Sequence, residues 1–153
     1  MIFKNKATKK IKEILRQGIT PEKLALSLSL GITVGIIPLY GITSLLITAV
    51  ALILRLNFAI THLAHYIVHP LQIALIIPFL KLGKIFYSDT LLPFSIKKII
   101  HLINTDLWGT LYNFWVAYLS AFLIWFVISI PLVIILYRTL IIPLRKYSLS
   151  IAR

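Results

Sequence analysis

The chain of 153 residues has no cysteine and only four acidic side chains, Glu13, Glu22, Asp89 and Asp106. Without cysteine there is no thiol nucleophile, no thiolate metal site and no disulfide scaffold. None of the four acids lies inside an apolar run, so general acid–base chemistry in those runs would fall to histidine alone. Neither a glycine-rich phosphate loop nor a Gly-x-Ser-x-Gly elbow is present. Charged residues make up 13% of the chain, against about 25% in an ordinary soluble domain. The apolar set AVILMFWYC reaches 59%, and the mean hydropathy is +0.96. A water-soluble fold of this length cannot hide so much apolar surface. The expectation is a single membrane-embedded domain that is not an enzyme and carries no cofactor or metal.

What is abundant is positive charge. Sixteen Lys and Arg give a formal net charge of +12, and they sit mostly at the borders of the apolar runs. Lys4, Lys6, Lys9, Lys10, Lys12, Arg16 and Lys23 precede the first run; Arg138, Arg145, Lys146 and Arg153 follow the last. Basic flanks beside apolar spans mark the cytoplasmic side and attract anionic headgroups. Both termini are therefore expected in the cytoplasm, flanking a multi-pass membrane protein. No nucleic-acid motif accompanies the charge, so the expected partners are membrane lipids and not nucleic acid.

Along the chain, residues 1–20 read as a basic amphipathic segment, with Ala7, Ile11, Ile14 and Leu15 at helical spacing. Residues 21–137 form the membrane domain, and 138–153 a basic tail. Thr20-Pro21-Glu22 is a helix start: a capping hydroxyl, a proline for the first turn and an acid at the positive end of the dipole. From Leu24 to Leu54 nothing is formally charged. As one helix this run would measure about 46 Å, against a hydrocarbon core of about 30 Å. Pro38 and Gly41 divide it, which predicts half-helices over 24–37 and 42–54 in a broken, re-entrant hairpin. The segment 58–80 can cross once but is predicted to break at His69-Pro70 and at Pro78. The connector 83–106 carries an interfacial helix with Ile96, Ile99, Ile100 and Ile103 on one stripe. A final helix over 107–136 opens on Trp108, Tyr112, Trp115 and Tyr118, as an interfacial aromatic belt would. The fold class is thus an all-α integral membrane protein, a bundle with proline- and glycine-broken, re-entrant helices. Folding 58–80 back as a second hairpin is the alternative, and it would put one terminus outside.

Three constellations carry candidate chemistry. At the first break, a half-helix starting near Gly41, Thr43 and Ser44 offers backbone N–H groups and hydroxyls to an anion. The competing reading is a packing kink, with Gly31 and Gly35 as a Gly-x-x-x-Gly contact and Pro38 and Pro70 as structural breaks. His62, His65 and His69 recur at i, i+3, i+7 and can handle a proton, an anion or, with no carboxylate in support, a metal. Structural hydrogen bonding within the bundle is the other reading of them. Arg55, at the end of the hairpin, either receives a phosphate or anchors in the headgroups. On the ligand reading, Thr43, Ser44 and Gly41 face His69 with Arg55 at the entrance. Replacing Thr43 and Ser44 by Val then weakens headgroup binding without unfolding the protein.

Taken together, Pro21-Glu22-Lys23-Leu24-Ala25-Leu26-Ser27, Gly31-x-x-x-Gly35-Ile-Ile-Pro38-Leu-Tyr-Gly41, Leu54-Arg55-Leu56-Asn57 and Pro70-Leu71-Gln72 resemble a small bacterial membrane family known as domain of unknown function number two-zero-six-two. The resemblance spans about residues 20 to 137. Many members read Asn-Pro-x-Thr where this chain has His69-Pro70-Leu71-Gln72, so no role of that asparagine carries over. Some relatives are joined to glycosyltransferase domains acting on lipid-linked sugars. By analogy, the resemblance implies envelope biogenesis and polyprenyl-phosphate or glycolipid handling, as a small transporter or flippase subunit. The rival expectation is an assembly partner that anchors a membrane glycosyltransferase or self-associates.

Overall fold

The computed structural model describes residues 19–39, 41–86 and 95–149. Most of the basic segment expected over 1–20, part of the connector and the last four residues lie outside the described residues. Five α-helices follow one another: α1 (Pro21–Gly35), α2 (Thr43–Ile53), α3 (Phe58–Gly83), α4 (Ile96–Thr105) and α5 (Leu107–Leu149). No strand occurs among the described residues.

The start of α1 follows its sequence signal. Thr20 is extended (φ −69°, ψ 149°), and its Oγ1 accepts from the Lys23 N–H at 3.2 Å. The helix ends at Gly35, two residues earlier than expected. Gly41 then takes φ +95°, a left-handed conformation open to glycine without strain, and the chain reverses into α2. That helix closes in a Schellman turn, with Leu56 N–H donating to Ala51 O at 2.8 Å and Arg55 N–H to Leu52 O at 3.2 Å. Asn57 opens α3 by accepting the Ile60 N–H at 3.0 Å. Its own N–H donates to Ser27 Oγ at 3.2 Å, which ties the exit of the hairpin back to α1.

α3 corrects one expectation. It runs unbroken for 26 residues with Pro70 and Pro78 inside it. A proline removes one backbone donor and bends a helix, but apolar helices tolerate it. Both prolines are exposed, so their rings crowd no neighbouring helix, and neither is followed by a positive-φ glycine like Gly41. α5 corrects a second. It is 43 residues long, passes Pro131 and Pro143, and ends at Leu149. The final helix therefore extends well past 136, and most of the supposed tail is helical. α4 falls inside the expected connector. Its stripe residues Ile100 and Ile103 are exposed, the apolar side of a helix suited to an interface.

α1 packs alongside α3 in the same direction, and α5 runs against both. At one end Leu24, Ala25, Ile60, Ile141 and Leu144 form a core; further along, Ile36, Ile37, Phe79, Ala121 and Trp125 form another. The first turn of α1 and the last turns of α5 share an end, where Arg145 Nε bonds Glu22 Oε1 at 3.0 Å. The α1–α3 contact depends on missing side chains. A Cβ on Gly31 would overlap Thr61 O, and one on Gly35 would come within 2.6 Å of Val68 Cγ2. The Gly-x-x-x-Gly contact is thus a site of backbone approach.

Two outcomes follow. Gly31→Val and Gly35→Val should each cost about 1–3 kcal/mol by overpacking, read as a shift in denaturant unfolding in micelles; unchanged midpoints would refute the close approach. The Glu22 carboxyl is held below its ordinary value of 4.5 chiefly by a backbone hydrogen bond and then by Arg145. The stability it adds is therefore full above about pH 4.5 and is lost as pH falls through the lower folded value. Glu22→Gln should flatten that acid-side slope of the unfolding midpoint.

Candidate functional site

The broken hairpin leaves carbonyls without helical partners, and three side chains from three helices take them. Trp125 Nε1 on α5 donates to Thr33 O at 3.0 Å. Gln72 Nε2 on α3 donates to Ile37 O at 2.9 Å. Thr43 Oγ1 on α2 donates to Leu39 O at 2.8 Å and accepts from Gln72 Nε2 at 2.9 Å. Ile37, Pro38 and Gln72 are fully buried, so the start of the irregular backbone is enclosed by protein, while Gly41 and Ile42 lie exposed beyond it. Gln72 lies about 21 Å along α3 from Phe58 at ~1.5 Å per residue, near the middle of that helix. The tip of the hairpin therefore meets α3 halfway along its length.

The candidate anion cradle is only partly brought together. The Thr43 hydroxyl is buried and committed at both its donor and acceptor positions. Gly41 and Ser44 are exposed on the outer side of the break. His69 lies one turn before Gln72 on α3, edge-on to His65 with ring centroids 5.7 Å apart. Arg55 stands at the opposite end of α2, about 16 Å from Thr43 along an eleven-residue helix. Thr43→Val would thus remove a clasp of the break as well as a hydroxyl, and Ser44→Val alone is the clean substitution.

The three histidines turn to different neighbours. His62 Nδ1 stands 3.1 Å from Phe58 O, an atom that can only accept. Its Nε2 stands 3.3 Å from Thr48 Oγ1, whose hydroxyl donates to Ser44 O at 2.8 Å. His65 is buried against α1, its Nδ1 3.2 Å from where a Gly35 Cβ would stand. Among the described residues no three His, Asp or Glu side chains gather as a metal site.

A second site joins residues that sequence reasoning had not combined. At the end shared by α1 and α5, a cavity of about 590 Å³ is walled by Leu26, Leu54, Leu56, Val133, Ile134 and Tyr137 and carries Lys23, Arg138 and Glu22. Glu22 is paired with Arg145, while Lys23 and Arg138 have no ion-pair partner among the described residues. Lys23, Arg55 and Arg138 each end an uncharged run, and the fold gathers those ends. Lys23 and Arg138 line the cavity, and Arg55 sits between its wall residues Leu54 and Leu56. Arg55 is also exposed and has φ +50°. Gln72 entered the sequence reading only as part of a family motif and Trp125 not at all, because each is a neutral donor inside an apolar run; a search for such donors there would have found both.

These features define an all-helical protein with two helices, α3 and α5, long and apolar enough to cross a membrane. Only 22% of the most apolar stretch of each is buried inside the bundle. The chain belongs to the bacterial family described as "Uncharacterized protein conserved in bacteria (DUF2062)", whose model matches residues 5–150. No curated protein and no solved structure matches it.

Gln72→Leu should leave the buried Ile37 carbonyl unpaired and cost about 1–3 kcal/mol. Denaturant unfolding in micelles measures this, and a wild-type midpoint would mean that the clasp contributes nothing.

Proposed function

We propose that this protein is a non-catalytic module of the bacterial inner membrane that handles anionic lipid at the face where both its helical ends lie. The carrying observation is Arg55. It occupies the left-handed position of the Schellman turn after α2, where glycine is the stable choice and any other residue costs about 1–2 kcal/mol. A strained arginine beside the cavity walls Leu54 and Leu56 places a positive charge at that rim, suited to an anion. The apolar exteriors of α3 and α5, among them Leu63, Ile67, Phe126, Val127 and Ile130, support burial in lipid. In this reading α3 and α5 cross, and the α1–α2 hairpin enters and leaves on one side, reaching only mid-depth. Both chain ends then face the cytoplasm, in line with the basic flanks. Polyprenyl-phosphate or a related glycolipid precursor, and a part in envelope biogenesis or lipid transport, belong to this proposal by family analogy. An assembly role beside a glycosyltransferase is the rival, and retention of a second protein with no enriched anionic lipid would favour it.

The absence of cysteine makes the topology directly testable with single cysteines and an impermeant thiol reagent. Thr20→Cys and Ser148→Cys should label from one side, Lys84→Cys from the other, and Ser44→Cys from neither. Labelling of Ser44→Cys from the Lys84 side would mean that the hairpin crosses completely. Arg55→Gly should keep or raise the unfolding midpoint while lowering the amount of anionic lipid that co-purifies. Loss of stability with unchanged lipid would make Arg55 a structural residue.

A further inference from the structure

The cavity at Lys23 and Arg138 is the first of three that follow one another along α5, the first two beside the α1–α2 hairpin and the third running on past its tip at Leu39 and Ile42. A second, of about 300 Å³, shares the wall residue Val133 with the first and is lined almost wholly by apolar groups. A third, of about 590 Å³, shares Phe122 with the second and runs over Leu39, Ile42, Trp115 and Leu111. The α5 stretch from Arg138 to Leu111 is about 40 Å long at ~1.5 Å per residue. Cations therefore stand at one end of this furrow, and the rest is apolar and aromatic. A single bilayer leaflet is about half of a ~30 Å core, so the furrow is longer than one leaflet is deep.

We infer that this furrow is a binding groove for one phosphate-headed lipid, with its headgroup between Lys23 and Arg138 and a long hydrocarbon chain laid along α5 past Val133 and Phe122. The inference rests on the anionic-lipid reading above and gives it a defined site and occupant. Charge complementarity selects the head. Lys23, Arg138 and the nearby Arg145 oppose only Glu22, whose carboxylate is already engaged by Arg145 at 3.0 Å. Ammonium and guanidinium groups at an apolar rim hold a phosphate more strongly than they would in open water. Length selects the chain, because each further methylene can remain against protein after a leaflet-length chain has ended. The same geometry disfavours free phosphate, which would occupy the rim alone.

Native mass spectrometry of the full chain, released from phosphatidylcholine nanodiscs doped with alkyl monophosphates of graded chain length, tests the inference. The wild type should retain one alkyl phosphate per chain, with retention rising as the alkyl group lengthens beyond a leaflet-length chain. Lys23→Gln with Arg138→Gln should reduce retention about tenfold or more, the scale of one lost charge-assisted contact. Lys97→Gln with Lys98→Gln on α4, equal in charge removed, should leave it unchanged. Val133→Trp, placed where the first two cavities meet, should abolish the gain from chain length and spare the short-chain phosphate. Equal losses in the two lysine- and arginine-depleted variants would reduce the effect to net charge and overturn the site. A chain-length profile in the wild type that is flat beyond leaflet length would overturn the groove without needing any variant. Retention of anionic lipid that ignores Lys23 and Arg138 would sink this inference and leave the broader function standing, whereas retention of phosphatidylcholine alone would sink both.

Discussion

An unpaired backbone carbonyl away from water is the constraint around which this fold is arranged. Pro38 and Gly41 interrupt the first apolar run where Ile37 and Pro38 are fully buried, and each buried polar group left alone costs about 1–3 kcal/mol. Trp125, Gln72 and Thr43 supply the missing donors from three different helices. Their positions fix how far the hairpin reaches, which face α1 turns to α3, and where α5 must lie. The side-chain-free strip at Gly31 and Gly35 is the steric counterpart, since the α1 backbone reaches the bonding distance of α3 only where no Cβ intervenes.

The bundle buries small polar side chains beside its two apolar cores and turns many large apolar side chains outward. Ser27, Ser29, Thr33, Thr61, His65 and Gln72 are buried, while large aliphatic and aromatic side chains point outward from α2, α3 and α5. Ser29 and Thr61 satisfy themselves on the preceding turn, with Ala25 O at 2.7 Å and Asn57 O at 2.8 Å, whereas Thr33 Oγ1 finds no partner among the described residues. Ser29 and Thr61 can therefore line a helix–helix contact without demanding a partner across it. Charge is confined to the ends, and the end that collects Lys23, Arg55, Arg138 and Arg145 also gathers the start of α1 and the close of α5.

Local signals in the sequence were legible wherever a residue acts on its own backbone. Thr20 as a cap, Pro38 with Gly41 as a break, and Arg55 as a hairpin end all act within a few residues. Pro70 and Pro78 misled because a proline alone does not decide whether a helix stops, and α5 likewise passes Pro131 and Pro143. What distinguishes Pro38 is the glycine at positive φ that follows and the donors that meet the freed carbonyls from far along the chain. The same distance effect hid the site. Thr43 was readable as a hydroxyl at a helix start, but its engagement with Gln72 depends on the register of α1 against α3. Lys23 and Arg138 were visible as the edges of apolar runs, and only the antiparallel return of α5 brings them to one cavity.

The span in sequence between Trp125 and Thr33, |i−j| = 92, has a consequence for biosynthesis. During translation the first hairpin leaves the ribosome well before the helix that completes its hydrogen bonding has been made. Gln72 arrives first, |i−j| = 35 from Ile37, and Trp125 much later. Until then the bent segment carries a carbonyl, Thr33 O, that has not met its donor. The order of synthesis thus makes the earliest helix of the bundle one of the last to complete its hydrogen bonding, when α5 is in place.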